Sequence, residues 1–129
     1  VHVLDEFNNF MEEEIYQMMV ATTEDQDELI LENTTTLKVA RWWNRACDII
    51  PCNGGKDIGI QKILDYFNFN KEEAMAFGDG GNDISMLKYV GNGVAMGNAK
   101  DNVKAIADYI TDSVQGDGIV SALKHFEII

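Results

Sequence analysis

The chain has 129 residues, 46% of them apolar, and carries ten basic against 22 acidic side chains for a formal net charge of -12. That length suits one compact domain or parts of two, and so acidic a chain lacks electrostatic support for a phosphate backbone, which excludes nucleic acid as an expected partner. No run approaches the roughly 18 apolar residues of a membrane-spanning helix and the N-terminus lacks the regions of a signal peptide, so a cytoplasmic protein without a membrane partner is expected.

In chain order, Leu4, Phe7 and Met11 fall at helical spacing and predict a short first helix. "IYQMMVA", residues 15–21, reads as a strand, and "TTEDQDEL" after it as a helix capped by Thr22 or Thr23 with an acid or amide three residues on. "TLKVARWWN", residues 36–44, is rich in β-branched and aromatic side chains. It alternates Leu37, Val39, Arg41 and Trp43 with Lys38, Ala40, Trp42 and Asn44, which predicts a second strand. Near residue 47 the composition changes from acidic and aromatic to glycine-punctuated, which places a domain boundary there, with units 1–46 and 47–129. Cys47 and Cys52 are separated by four residues with no second cysteine pair. A zinc site or disulfide is therefore not expected, and both are read as buried thiols. The chain begins at Val1, which predicts a fragment or a processed product.

Beyond residue 47 a simpler rhythm repeats. "KDIGIQKILDYF" puts Ile60, Ile63, Leu64 and Phe67 on one helical face. "EAMAFG", "GVAMG" and "DYIT" read as short buried strands, alternating with helices at "DISMLKYV", "KDNVKAIA" and "GIVSALKHF". Strands this short and apolar, alternating with helices, predict an α/β fold with a Rossmann-type parallel sheet covered on both faces. Ligands in such sheets bind beyond the carboxyl ends of the strands.

The loop "GDGGND" stands at one of those ends. Asp79 follows the strand by one glycine and Asp83 opens the next helix, so both carboxylates can face one point. Asn82 lies beside them. A hard cation such as Mg²⁺ is held by one or two carboxylates together with water and a substrate phosphate; the alternative is that these residues only close a turn and cap a helix. Lys56 stands in "NGGKDIG" at the start of a helix, unfavourably for the helix dipole, so a bound anion or facing carboxylates should compensate it. A solvated lysine is the alternative there.

Lys56 at a helix head, followed some twenty residues later by "GDGGND", resembles the third and fourth motifs of the haloacid dehalogenase superfamily, specifically the Cof-like sugar-phosphate phosphatases. "GVAMGNAKDNVKAIADYIT" and "DGIVSALKHF" are similar to that family's closing strands and helices, so the likeness covers residues 47–129 closely. Residues 1–46 resemble more loosely the end of its α/β cap. The resemblance implies a Mg²⁺-dependent phosphatase of small phosphorylated metabolites. In it Asp79 would ligate the metal, Asp83 would support the metal shell or complete it through water, Asn82 would bind the phosphoryl group or orient its neighbours, and Lys56 would neutralise the nucleophile and the transferring phosphoryl. The family's nucleophile motif, Asp-x-Asp-Gly-Thr after a strand, is absent. Asp25 and Asp27 in "DQDEL" have its spacing but read as the acidic first turn of a helix. The chain therefore resembles the second half of a HAD-like core with the remnant of a cap, and alone it should not turn over. The missing N-terminal half or a second copy is the expected protein partner, because a half core leaves a sheet edge open.

Two other readings fit parts of the sequence. A non-catalytic module binding a cation or phosphate would also use this loop. A receiver-like domain fits the size, but its acidic cluster should precede its lysine. Of the remaining residues, Trp42 and Trp43 are expected to put one ring in the core and one near substrate. Asn98 reads as a cap or a phosphate-side contact, His2 and His125 as isolated, and the methionines at 18, 19, 75, 86 and 96 as core.

Overall fold

The computed structural model describes residues 14–129; the helix expected around Leu4, Phe7 and Met11, and His2, lie outside them. The chain forms β1 (Met18–Val20), a 3-10 turn, α1 (Asp27–Leu31), β2 (Leu37–Trp43), β3 (Ala46–Pro51), α2 (Lys56–Phe67), β4 (Met75–Gly78) and α3 (Ile84–Tyr89). It closes with β5 (Asn92–Ala95), α4 (Asp101–Lys104), β6 (Tyr109–Ile110) and α5 (Gly118–His125). At the first turn the Thr23 backbone N–H donates to Gln26 Oε1 at 3.2 Å, the acid-or-amide cap read from the sequence.

The described residues form two three-stranded sheets. The first is antiparallel in the order β1-β3-β2, and the second is parallel in the order β4-β5-β6. The parallel sheet is the one predicted from the alternating strands and helices. Its core packs Leu87 of α3 and Val103 of α4 against Ala76 and Ala95 of β4 and β5. Among the described residues Leu87 and Val103 are, with Val94 of β5 and Cys47, the largest side chains fully removed from water.

The antiparallel sheet corrects several expectations. β3 was not read from the sequence, yet it is the central strand, with Ala46, Cys47 and Ile49 buried. Residue 47, where the composition changes, is the second residue of that strand, and the sheet continues to Pro51. Cys47 is buried, but Cys52 lies in the exposed turn after the strand; both are free thiols. Burial pushes the Cys47 thiol up, against the pull of the nearby Arg41 charge, which keeps it an inert core group. Met18 and Met19 are exposed because β1 is an edge strand of three residues, and neither tryptophan is core, Trp42 being half-buried and Trp43 exposed. Met96 is buried as expected.

The apolar face read on α2 forms a helix as predicted, but Ile63 and Phe67 are 60% and 61% exposed. The parallel sheet ends at β4, so among the described residues no strand continues beneath that part of the helix. Asp27, half of the "DQD" pair, opens α1 and is ion-paired to Arg41 of β2. That is the structural use expected of it. His125 closes α5 with its ring stacked on Tyr109, centroids 4.1 Å apart.

Candidate active site

β4 and β5 pair in parallel register with Gly78 beside Ala95, so the loops 79–83 and 96–100 leave the sheet at the same carboxyl edge. After β4 the chain turns through a 3-10 segment, Gly81–Asp83, into α3. Gly78, Gly80 and Gly81 all keep φ outside the left-handed region, so their function is room rather than dihedral freedom. A Cβ on Gly81 would come 2.6 Å from the backbone carbonyl of Arg41, where β2 of the antiparallel sheet rests on the loop.

Asp83 organises this loop from within. It is only 6% exposed, and its Oδ2 accepts the backbone N–H groups of Asp79 and Gly80, both at 3.0 Å. Its Oδ1 accepts Lys56 Nζ. Lys56 is the first residue of α2 and follows Gly55, whose φ of 132° is one that L side chains rarely adopt. The facing carboxylate that a lysine at a helix start requires is therefore Asp83. Burial pushes the Asp83 carboxyl up, but the Lys56 hydrogen bond, the N–H groups of Gly80 and Asp79, and the Lys56 charge together hold it below its ordinary 3.8. It is an anion at neutral pH.

Asp79 differs from it in every respect. It is exposed, and its Oδ2 accepts the Asn98 side-chain amide at 2.9 Å, while among the described residues nothing donates to Oδ1. Asn98, on the loop after β5, also accepts the Val114 N–H at 3.1 Å. A cleft of about 470 Å³ is lined by Lys56, Asp79, Asn82 and Asp83, the four residues singled out in the sequence, together with Trp42, Asn98 and Lys100. Lys100 Nζ donates to the Trp42 carbonyl at 3.4 Å. A second cleft of about 960 Å³ shares Lys56 and Asn82 and opens between the sheets, with Lys38, Asp48 and Ile50 on one wall and Asp57 and Ser85 on the other. Sequence reading missed the contributions of Lys38, Asp48 and Lys100. Lys100 had a visible signal, a cation two residues after the Asn98 that follows a strand.

Among the described residues no group of three or more His, Cys, Asp or Glu side chains is placed to hold a metal. The loop nonetheless fits a share of a Mg²⁺ site. Its donors are all oxygen, the Asp79 carboxylate is open to water, and this ion is commonly held by one or two carboxylates with water and substrate completing the shell. Asp83 fits a supporting place, because direct ligation would compete with its three hydrogen bonds.

Residues 1–123 match the model of a family described as haloacid dehalogenase-like hydrolase. BT4131, a HAD subclass IIB sugar phosphatase, superposes with a TM-score of 0.88 at 43% identity, covering 95% of this chain and 47% of that one. BT1666 from Bacteroides thetaiotaomicron superposes with a TM-score of 0.90 at 38% identity, covering 98% of this chain and 47% of that one. YkrA of Bacillus subtilis (strain 168) is 38% identical over 116 residues, 90% of this chain and 45% of that protein. The chain thus spans about half the length of these relatives. With the match running through both sheets and through the loop that carries Asp79 and Asp83, this chain belongs to the haloacid dehalogenase-like hydrolase family.

Proposed function

We propose that the protein containing this chain is a Mg²⁺-dependent phosphatase of small phosphorylated metabolites such as sugar phosphates, and that its aspartate nucleophile lies outside these 129 residues. The observation that carries the reading is the placement of Lys56, bonded to a buried Asp83, on the same small cleft as the exposed Asp79. Phosphoryl transfer needs little covalent chemistry from the protein beyond the nucleophile. It needs positioning, and positive charge at the equatorial oxygens. In this net-acidic chain Lys56 supplies that charge from a side chain half in water, and Asp83 fixes its direction. Asn82, on both clefts, presents an amide to the phosphoryl oxygens. Asp79 would hold the Mg²⁺ ion and Asp83 would support its water shell; the ion supplies further charge neutralisation at the transferring group.

The larger cleft gives the leaving group a place between the sheets. Its lining of Lys38, Asp48, Asp57 and Ser85 suits a hydroxyl-rich body. The name of BT4131, a sugar phosphatase, agrees with that. We divide the chain at the turn 52–55, between the antiparallel sheet as cap remnant and the parallel sheet as core, and place the remainder of the core against the outer edge of β4 and the exposed Ile63 and Phe67. A cytoplasmic setting would keep Cys47 and Cys52 as the thiols they are.

The test is phosphate release from a panel of sugar phosphates by the full-length protein, with and without Mg²⁺, beside the 129-residue chain alone. Release that needs Mg²⁺ and occurs only in the full-length protein is the expected outcome. Phosphate binding without release by the full-length protein would favour the second reading, a non-catalytic anion and cation module. Release by the short chain itself would overturn the assigned mechanism.

A further inference from the structure

We infer that Asn98 is a positioning residue that confines Asp79 to ligation through one oxygen and so biases the site toward a small octahedral cation over calcium. The inference rests on the reading above only for the presence of a divalent cation at Asp79. Its basis is a hydrogen-bond chain with a single possible direction. The Val114 backbone N–H can only donate, so the atom of Asn98 it meets at 3.1 Å must be the amide oxygen. The other end of the amide is then the NH₂ group, and it donates to Asp79 Oδ2 at 2.9 Å, where an ionised carboxylate can only accept. A flipped amide would set donor against donor at one end and acceptor against acceptor at the other.

The consequence for a cation follows from ligand geometry. Asp79 lines the cleft, and with Oδ2 engaged by Asn98 its Oδ1 is the oxygen to which nothing donates among the described residues. Single-oxygen ligation suits Mg²⁺, which demands a near-ideal octahedron of short bonds, whereas Ca²⁺ readily takes both oxygens of a carboxylate at longer range. Val114 opens the 3-10 turn Val114–Gly116, so the anchor of Asn98 comes from a third loop, independent of both Asp79 and Asp83. Partners that orient a metal ligand typically alter affinity 10–100-fold, and because this bond is exposed the lower end applies.

Two variants of the full-length protein test this by calorimetric titration with Mg²⁺ alone and Ca²⁺ alone. N98A removes both bonds. V114P removes only the anchoring N–H: proline is tolerated at the first position of a helical turn, and Ser113 before it already has the extended backbone that proline requires, φ -69° and ψ 168°. We expect N98A to weaken Mg²⁺ about tenfold and Ca²⁺ by less than about threefold, and V114P to shift the preference the same way by a smaller amount. Mg²⁺ affinity unchanged within about twofold in N98A, or equal losses for both ions, would overturn the inference. Should N98A fail to fold, V114P decides: a narrowed preference supports the inference and an unchanged one overturns it. Wild-type protein that binds Mg²⁺ while the variants keep its preference refutes only this inference, whereas wild-type protein that binds no Mg²⁺ refutes the functional reading as well.

Discussion

Replacing Lys56 by methionine in the full-length protein is expected to lower kcat/KM toward sugar phosphates about 10³-fold, roughly 4 kcal/mol of transition-state stabilisation. Methionine keeps the length and apolar stem of the side chain and deletes the ammonium. The ammonium lies at the N-terminal end of α2, on the cleft it shares with Asp79, where charge on a transferring phosphoryl group would develop. Charge stabilisation of that kind acts more on the transition state than on the bound substrate, so the loss should fall mainly on kcat. Arginine should not restore the rate, because its planar fork cannot occupy the place of a single ammonium donating to Asp83 Oδ1. The same substitution should cost only about 1–2 kcal/mol of stability. The lysine side chain is half in water, and Asp83 keeps its two backbone N–H donors. A K56M protein with kcat/KM within about tenfold of wild type would remove Lys56 from the mechanism.

Replacing Asp83 by asparagine is the second large effect, and it falls on stability as well as activity. The amide has one oxygen to offer where the carboxylate has two. If that oxygen keeps the N–H groups of Asp79 and Gly80, the NH₂ group is left facing the Lys56 ammonium, donor against donor. The expected cost is about 2–3 kcal/mol, below the range for a fully buried pair because half of the Lys56 side chain is solvated. The pH dependence has a definite sign. The native Asp83 carboxyl lies below its ordinary 3.8, so its contribution to stability is complete above that value and is lost as pH falls through the lowered native value. Urea midpoints measured from neutral pH downward should therefore separate wild type from D83N by a constant amount until the acid limb, where the two converge. A difference that stays constant through the acid limb would mean that the native carboxylate is not stabilised over its unfolded form.

What could be read from the sequence tracks how local the determining physics is. The α/β alternation after residue 55 was legible because each short apolar strand and each helix declares its own period, whereas the "GDGGND" loop by itself suited a turn and cap as well as a cation site and was singled out by its family resemblance. The unfavourable charge at a helix start called for an anion or a facing carboxylate beside Lys56 but did not say which, and the structure supplies Asp83, 27 residues away. β3 was not legible. Asp48 and Pro51 interrupt its apolar run, and the burial of Cys47 and Ile49 depends on strands on both sides, which is non-local information. The exposure of Ile63 and Phe67 was hidden for the same reason: helical spacing shows that a face is apolar, not that these residues contain what covers it. Asn98 read as a cap because asparagine after a strand often is one. Its bond to Asp79 depends on the parallel register of β4 with β5.

Diffraction from the full-length protein with Mn²⁺ and inorganic phosphate, using the anomalous signal of manganese, tests the central claim most directly. The account predicts manganese at about 2.2 Å from an Asp79 carboxylate oxygen, with phosphate within about 3 Å of Lys56 Nζ in the same cleft. Manganese on another acidic surface, or phosphate bound away from Lys56, would contradict it.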